Sequence, residues 1–173
     1  MAQHRLLFIP AAVDELSPTL KTNRFEAEII AELVASYLRL MRTNQRTPDA
    51  GSIGIITPYR AQIALIRHVL QEKGITGFPL TIDTVERYQG GAREVILVSL
   101  CTNAARQLTT LSSLSEEGVD RKLNVAMTRA REQLLIIGNP ELLARSPVYQ
   151  QLLAYCQQHG AWATTAEPEE LPL

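Results

Sequence analysis

The stretch SIGIITPYRAQIALIRHVLQEKG, Ser52 to Gly74, decides how the chain folds. Ser52 to Ile56 is an almost unbroken apolar, β-branched run, the pattern of a strand buried on both faces. Thr57 then has the chemistry of a helix N-cap, and Pro58 that of a first helical residue. Leu65, Ile66, Val69 and Leu70 follow at helical spacing, and Gly74 is placed to end the helix. A strand that passes directly into an amphipathic helix is half of a crossover unit, and such units build parallel sheets.

Working outward, four more short apolar runs read as strands: Leu6 to Ile9, Leu80 to Asp83, Val95 to Cys101 and Leu134 to Ile137. Three further helices are expected. Phe25 to Arg42 spaces Ile29, Ile30, Leu33, Val34, Tyr37, Leu38 and Met41 along one face, and Asn23 with Glu26 has the form of a capping box. Asp120 to Arg131 leads into the last strand, and Val148 to Gln158 closes the pattern. The alternation predicts an α/β fold, a mainly parallel sheet flanked by helices, in one domain over residues 1–160. Asn103 to Gly118 is a Ser/Thr-rich connection without a strand pattern, long enough to be mobile or functional. Ala161 to Leu173, with three acids and two prolines, reads as a flexible acidic tail in which Trp162 is a packing lid.

Composition bounds the function. With 173 residues, 46% of them hydrophobic, the chain can bury a core, which excludes disorder and fibrous repeats. The 17 Lys+Arg against 18 Asp+Glu give a net charge of -1, so phosphates are not gripped by bulk charge. Of those cations 14 are arginine, whose planar fork suits phosphate and carboxylate, although a GC-rich genome gives the same bias. Cys101 and Cys156 lack metal-ligand spacing and read as reduced core thiols. The run from Leu6 to Val13 imitates a short signal sequence, but Pro10 and Asp14-Glu15 favour a strand. No apolar run approaches the roughly 18 residues of a membrane span. The expectation is an intracellular chain, cytoplasmic or nuclear, with no membrane partner.

Ligands of open α/β sheets collect beyond the carboxyl ends of the strands, and three segments are read as lying there. Thr57-Pro58-Tyr59-Arg60-Ala61-Gln62 opens a helix, where free N–H groups favour an anion, or serves capping alone. It is not a phosphate loop, since the glycines and the Lys-Ser/Thr pair are missing. Thr84 to Glu94 combines a hydroxyl, Gln89, Gly90, Gly91, Arg87 and Arg93 in one turn, open to a ligand or to a plain φ > 0 turn. In Arg121 to Arg131, Leu123, Ala126, Met127 and Ala130 form a face expected to be buried. Arg121, Asn124, Thr128 and Arg131 form a polar stripe beside it, with Arg129 at its margin, suited to an anionic partner. Asp14-Glu15 reads as a surface turn rather than a magnesium site, and His4, His68 and His159 lack catalytic partners.

In order, these segments resemble the second RecA-like domain of superfamily 1 helicases, in the branch of the nonsense-mediated-decay RNA helicase and its DNA-replication and immunoglobulin-switch relatives. The carrying residues are Asn23-Arg24 with Glu26-Ala27, ITPYRAQ at Ile56 to Gln62, TVERYQGGAREVILVS at Thr84 to Ser99, and LNVAMTRAREQLLIIGNP at Leu123 to Pro140. The resemblance implies a RecA-like domain of the P-loop NTPase type lacking its own phosphate loop. It implies ATP with Mg2+ in a cleft shared with an N-terminal RecA-like domain that brings the magnesium ligands, and single-stranded DNA or RNA across the top of both. Arg129 matches the arginine finger, Gly90 with Gly91 a nucleotide contact, and Arg131 a support for the finger or an ion-pair partner. Thr57, Pro58, Tyr59, Arg60 and Thr84 match the strand-tracking side, with Asn124 and Thr128 assigned to the same partner, and Gln89 a coupling position. Ala92 departs from the pattern, standing where many relatives carry glutamate near the nucleotide. The resemblance implies a helicase motor domain that is inactive alone; a non-catalytic RecA-like module binding nucleic acid or protein is the other reading.

Overall fold

The computed structural model describes residues 5–88, 91–111 and 121–163. Five parallel strands form one sheet in the order β1-β5-β4-β2-β3: β1 Leu6–Pro10, β2 Ile53–Ile56, β3 Thr81–Asp83, β4 Arg93–Ser99 and β5 Ala130–Gly138. Their apolar runs are buried because helices cover both faces. On one, α1 (Arg24–Thr43) and α2 (Arg60–Glu72) bury Ile30, Leu33, Val34, Ile66 and Val69 against Ile55, Leu97 and Leu135. On the other, α4 (Arg121–Arg129) and α6 (Pro147–Gln158) bury Ala126, Tyr149 and Leu153 against Phe8, Ile96, Val98 and Ile136. This is the three-layer α/β architecture that the sequence predicts.

Several boundaries differ, each for a local reason. The Thr57 N–H donates to Asp83 O at 3.2 Å and prolongs the β2 to β3 contact, so α2 starts only at Arg60, with Tyr59 at the cap position but no capping bond from its side chain. Cys101 takes φ 50, a left-handed turn that ends β4 at Ser99. At the other end β5 reaches back so that Ala130 pairs with Arg93, which ends α4 at Arg129 and puts Arg131 in a strand.

Within the Asn103–Gly118 connection, residues 105–107 form a 3-10 turn running into α3 (Leu108–Leu111), while 112–118 lie outside the described residues. A further short helix, α5 (Pro140–Leu143), is capped by Asn139, whose side chain accepts from Leu142 N at 3.0 Å. The expected boundary at 160 falls inside packed structure. Phe8 N donates to Ala161 O and Ala163 N to Phe8 O, both at 2.9 Å, and Trp162 packs on Phe8 with ring centroids 4.8 Å apart. No helix among the described residues is long and apolar enough to cross a membrane.

Candidate nucleic-acid and nucleotide faces

The carboxyl ends of β2 and β3 carry the first set of expected residues. Ile63 is the first residue of α2 whose N–H finds a partner behind it, Tyr59 O at 3.2 Å, which leaves those of Arg60, Ala61 and Gln62 without intrahelical acceptors. Arg60 is exposed, Pro58 and Tyr59 are half-buried, and no acid stands in the first turn. This is an uncapped helix start with a cation on it, suited to a phosphate. Thr57 differs from expectation. It is fully buried, its Oγ1 has no hydrogen-bond partner, and it borders a small apolar cavity with Pro58, Val85, Leu123 and Tyr149. The buried hydroxyl neither caps α2 nor meets solvent. Thr84 is buried too; its N–H donates to Asp83 Oδ1 at 2.8 Å.

Behind this face lies a polar network that the capping pattern does not announce. Asn23 Oδ1 accepts from Glu26 N at 2.9 Å, the cap half of the expected box. The return half is absent, because the Glu26 carboxylate turns into the interior. Its Oε2 accepts from Ser99 Oγ at 2.6 Å and Cys101 N at 2.7 Å, and its Oε1 from Thr102 N at 3.0 Å. The Asn23 N–H instead donates to Gln62 Oε1 at 2.8 Å. Burial pushes the Glu26 carboxyl up to about 7, while the donors on it pull it down.

The second set lies at the opposite edge. Because α4 runs from the cavity beside Thr57 back to the start of β5, Arg129 stands at the amino ends of β4 and β5, one residue before the Ala130 that pairs with Arg93. These residues are therefore not beyond a strand's carboxyl end. The Thr84–Arg93 segment links the two edges. Arg93 stacks on the Tyr88 ring at 5.8 Å from its centroid, and donates through Nη1 to Gly91 O at 2.7 Å and through Nη2 to Thr81 Oγ1 at 3.3 Å. Arg93 and Arg129 form no ion pair with a described residue. The Nε of each and the Tyr88 hydroxyl are buried without a hydrogen-bond partner. A desolvated donor without an acceptor costs about 1–3 kcal/mol, which an anion would relieve. Burial raises the Tyr88 phenol's pKa, and Arg93 and Arg129 oppose that rise.

The expected stripe on α4 is partly dissolved. Asn124 and Thr128 are exposed on the helix, with Thr128 Oγ1 bonded to Val125 O at 2.9 Å, whereas Arg131 is exposed on β5. Ala126 and Ala130 are buried as expected, but Met127 is 44% exposed, bordering an apolar groove with Leu152 and Tyr155 of α6. Gln89 and Gly90 lie outside the described residues; Gly91 is exposed, with open space where a side chain would stand.

A family model described as an AAA domain matches residues 8–141. The chain belongs to that family, as a RecA-like domain of a superfamily 1 helicase. Among its relatives, the helicase domain is 36% identical over 131 residues to the DNA replication ATP-dependent helicase/nuclease JHS1 of Arabidopsis thaliana, covering 76% of this chain and 9% of the relative. It is 35% identical over 162 residues to helicase sen1 of Schizosaccharomyces pombe, covering 87% and 9%, and 32% identical over 133 residues to RNA helicase Mov10l1 of Mus musculus, covering 76% and 11%. The chain thus spans about a tenth of the length of these relatives. Its fold is similar to that of the C-terminal domain of a possible DNA helicase from Lactobacillus plantarum WCFS1, with TM-score 0.50 and 12% identity over 84% of this chain and 83% of the other.

Proposed function

We propose that this domain is the second, C-terminal RecA-like motor domain of an ATP-dependent DNA or RNA helicase. One observation carries the reading: the motif residues sort onto two opposite edges of one sheet, an uncapped helix start with Arg60 at one and two arginines, each with a buried unbonded Nε, at the other. ATP bound with Mg2+ supplies the phosphoanhydride bond whose hydrolysis drives the motor. The orphaned Nε of Arg129 fits an anion there, and the guanidinium acts as an arginine finger on γ-phosphate charge, an effect worth about 10³ to 10⁵ in rate. Gly90 with Gly91 serves as the nucleotide contact, Arg131 supports the finger or pairs with an acid, and Gln89 couples the two edges. The N-terminal RecA-like domain of the same protein brings the phosphate loop and the magnesium ligands.

At the other edge Pro58, Tyr59, Arg60 and Thr84 line the track of a single strand, which backbone N–H groups hold without reading sequence; Asn124 and Thr128 extend it along α4. Thr57 stands behind the track, fully buried, with its N–H bonded to Asp83 O. Closing and opening of the interdomain cleft moves the strand, 5′ to 3′ in this branch. Ala92, without the carboxylate that many relatives place near the nucleotide, favours a second reading, a non-catalytic RecA-like module that binds nucleic acid or protein.

Reconstitution separates the two. The chain alone hydrolyses no ATP above background, and joined to a phosphate-loop-bearing N-terminal RecA-like domain it gives ATPase activity stimulated by single strands. Turnover by the chain alone contradicts the motor reading, and a joined protein that binds single strands without hydrolysing ATP supports the binding module.

A further inference from the structure

Glu26 is a fully buried carboxylate with no cationic partner among the described residues. Burying a charge in this way is costly unless its hydrogen bonds are complete. Its surroundings complete them. The left-handed turn at Cys101 points two successive N–H groups, those of Cys101 and Thr102, at the carboxylate, and Ser99 adds its hydroxyl. Every donor comes from the carboxyl end of β4 and the turn after it, none from the helix that carries Glu26.

Two chains of hydrogen bonds leave this hub and meet again at the start of α2. In the first, Ser99 Oγ, donating to Glu26, accepts from Gln62 Nε2 at 3.1 Å, and the same amide nitrogen donates to Asn23 O at 2.9 Å. Gln62 is in the first turn of α2, so its side chain clamps the helix start to the β4 end and to the α1 cap. In the second, the turn held by Glu26 brings Asn103 N within 2.9 Å of Gln107 Oε1; Gln107 Nε2 donates to Leu20 O at 2.6 Å and to Cys101 O at 3.1 Å, and the Tyr59 hydroxyl rests beside that amide at 3.4 Å. Tyr59 is the residue before α2 and Arg60 its first.

We propose that Glu26 is a positioning residue for the nucleic-acid face, fixing Tyr59 and the first turn of α2 so that the N–H groups of Arg60, Ala61 and Gln62 and the Arg60 side chain meet a strand's phosphates in one arrangement. The inference rests on the reading of that face given above and adds a residue that touches no ligand. The residue type follows from the task. A carboxylate accepts on both oxygens and donates from neither, whereas an amide would turn an NH2 group toward an N–H or a hydroxyl. Glu26→Gln keeps the volume and breaks one side of the hub.

The test uses the 173-residue chain and short fluorescein-labelled oligo(dT) and oligo(U), titrated to saturation at about pH 8 with melting curves recorded on the same samples. Glu26→Gln is expected to weaken oligonucleotide binding about tenfold, the scale of a lost hydrogen bond or two, in a protein that still melts cooperatively above the assay temperature. Ser99→Ala and Gln107→Leu, which cut one chain each, are expected to weaken it by smaller factors, and they decide the matter if Glu26→Gln does not fold. Leu153→Ala, in α6 on the opposite face, lowers the melting temperature and leaves the affinity unchanged, which separates positioning from stability. If the wild type binds and the three network variants bind equally well, or lose affinity only in proportion to melting temperature as Leu153→Ala does, the inference is overturned while the helicase reading stands. If the wild-type chain binds neither oligonucleotide, the reading of the face fails and the inference fails with it.

Discussion

Tyr88 lays its phenol over Gly54 in β2, and its hydroxyl fills the space that a side chain on Gly54 would need. The hydroxyl is buried with no partner, so the close fit is steric and not a hydrogen bond. The missing Cβ at Gly54 lets the Tyr88 ring pack directly on β2. Gly54→Ala is expected to destabilise the chain by about 1–3 kcal/mol, the usual cost of overpacking. Tyr88→Phe alone should be near neutral, since it removes a desolvated hydroxyl that bonds to nothing. The double variant should recover part of the loss, because the ring's end carbon still crowds the added methyl. Urea unfolding of the four proteins measures the coupling.

Glu26 gives the stability of the chain a pH dependence of unusual sign for a carboxylate. Its value is raised from 4.5 to about 7, with burial the first cause. The native chain therefore takes up a proton at a pH where the unfolded chain does not, and the contribution to stability is full below about 4.5 and lost as pH rises through about 7. Compared with Glu26→Gln, which does not titrate, the wild type is expected to lose up to about 3 kcal/mol of stability from pH 5 to pH 8. Parallel denaturation curves across that window give the difference, and equal slopes would show that Glu26 titrates normally.

Both thiols are buried and free, and burial pushes each above its ordinary value, Cys156 to about 11 and Cys101 further. The thiolate is the reactive form. Native protein is expected to react with a disulfide reagent only as fast as it opens, and denatured protein at once. Rapid labelling of the native chain would place at least one thiol at the surface.

The nucleic-acid face predicts a salt signature. Arg60 is exposed at an uncapped helix start. Arg60→Ala should weaken single-strand binding across sequences and reduce the slope of log affinity against log salt by about 0.7, the loss of one phosphate contact. Arg129→Ala, at the far edge of the sheet, should leave that slope unchanged. A slope altered by Arg129→Ala and not by Arg60→Ala would exchange the two faces.

The strands were legible from the short apolar run that each contains, although β4 and β5 extend beyond theirs into charged residues at their amino ends. The helices were legible from their spacing, yet two of their ends depended on distant partners. Thr57 looks like a cap until Asp83 takes its N–H, and Arg131 looks helical until the pairing of Ala130 with Arg93 draws it into β5. Met127 has the spacing of a core residue, but α4 and α6 leave a groove at that position. Glu26 was the hardest to read. Asn23 three residues before it supplies a sufficient local role, while its actual partners are 73 to 76 positions away. Motif resemblance located Arg129, but only the fold shows that it shares an edge with Arg93 and Gly91 and not with Arg60.

Arg129 as the finger of an ATP-driven motor is tested by ATPase turnover of Arg129→Ala in the domain joined to its phosphate-loop partner. Nucleic-acid-stimulated kcat is expected to fall by about a thousandfold or more, with single-strand affinity within about twofold of the wild type. Wild-type turnover in that variant would contradict it.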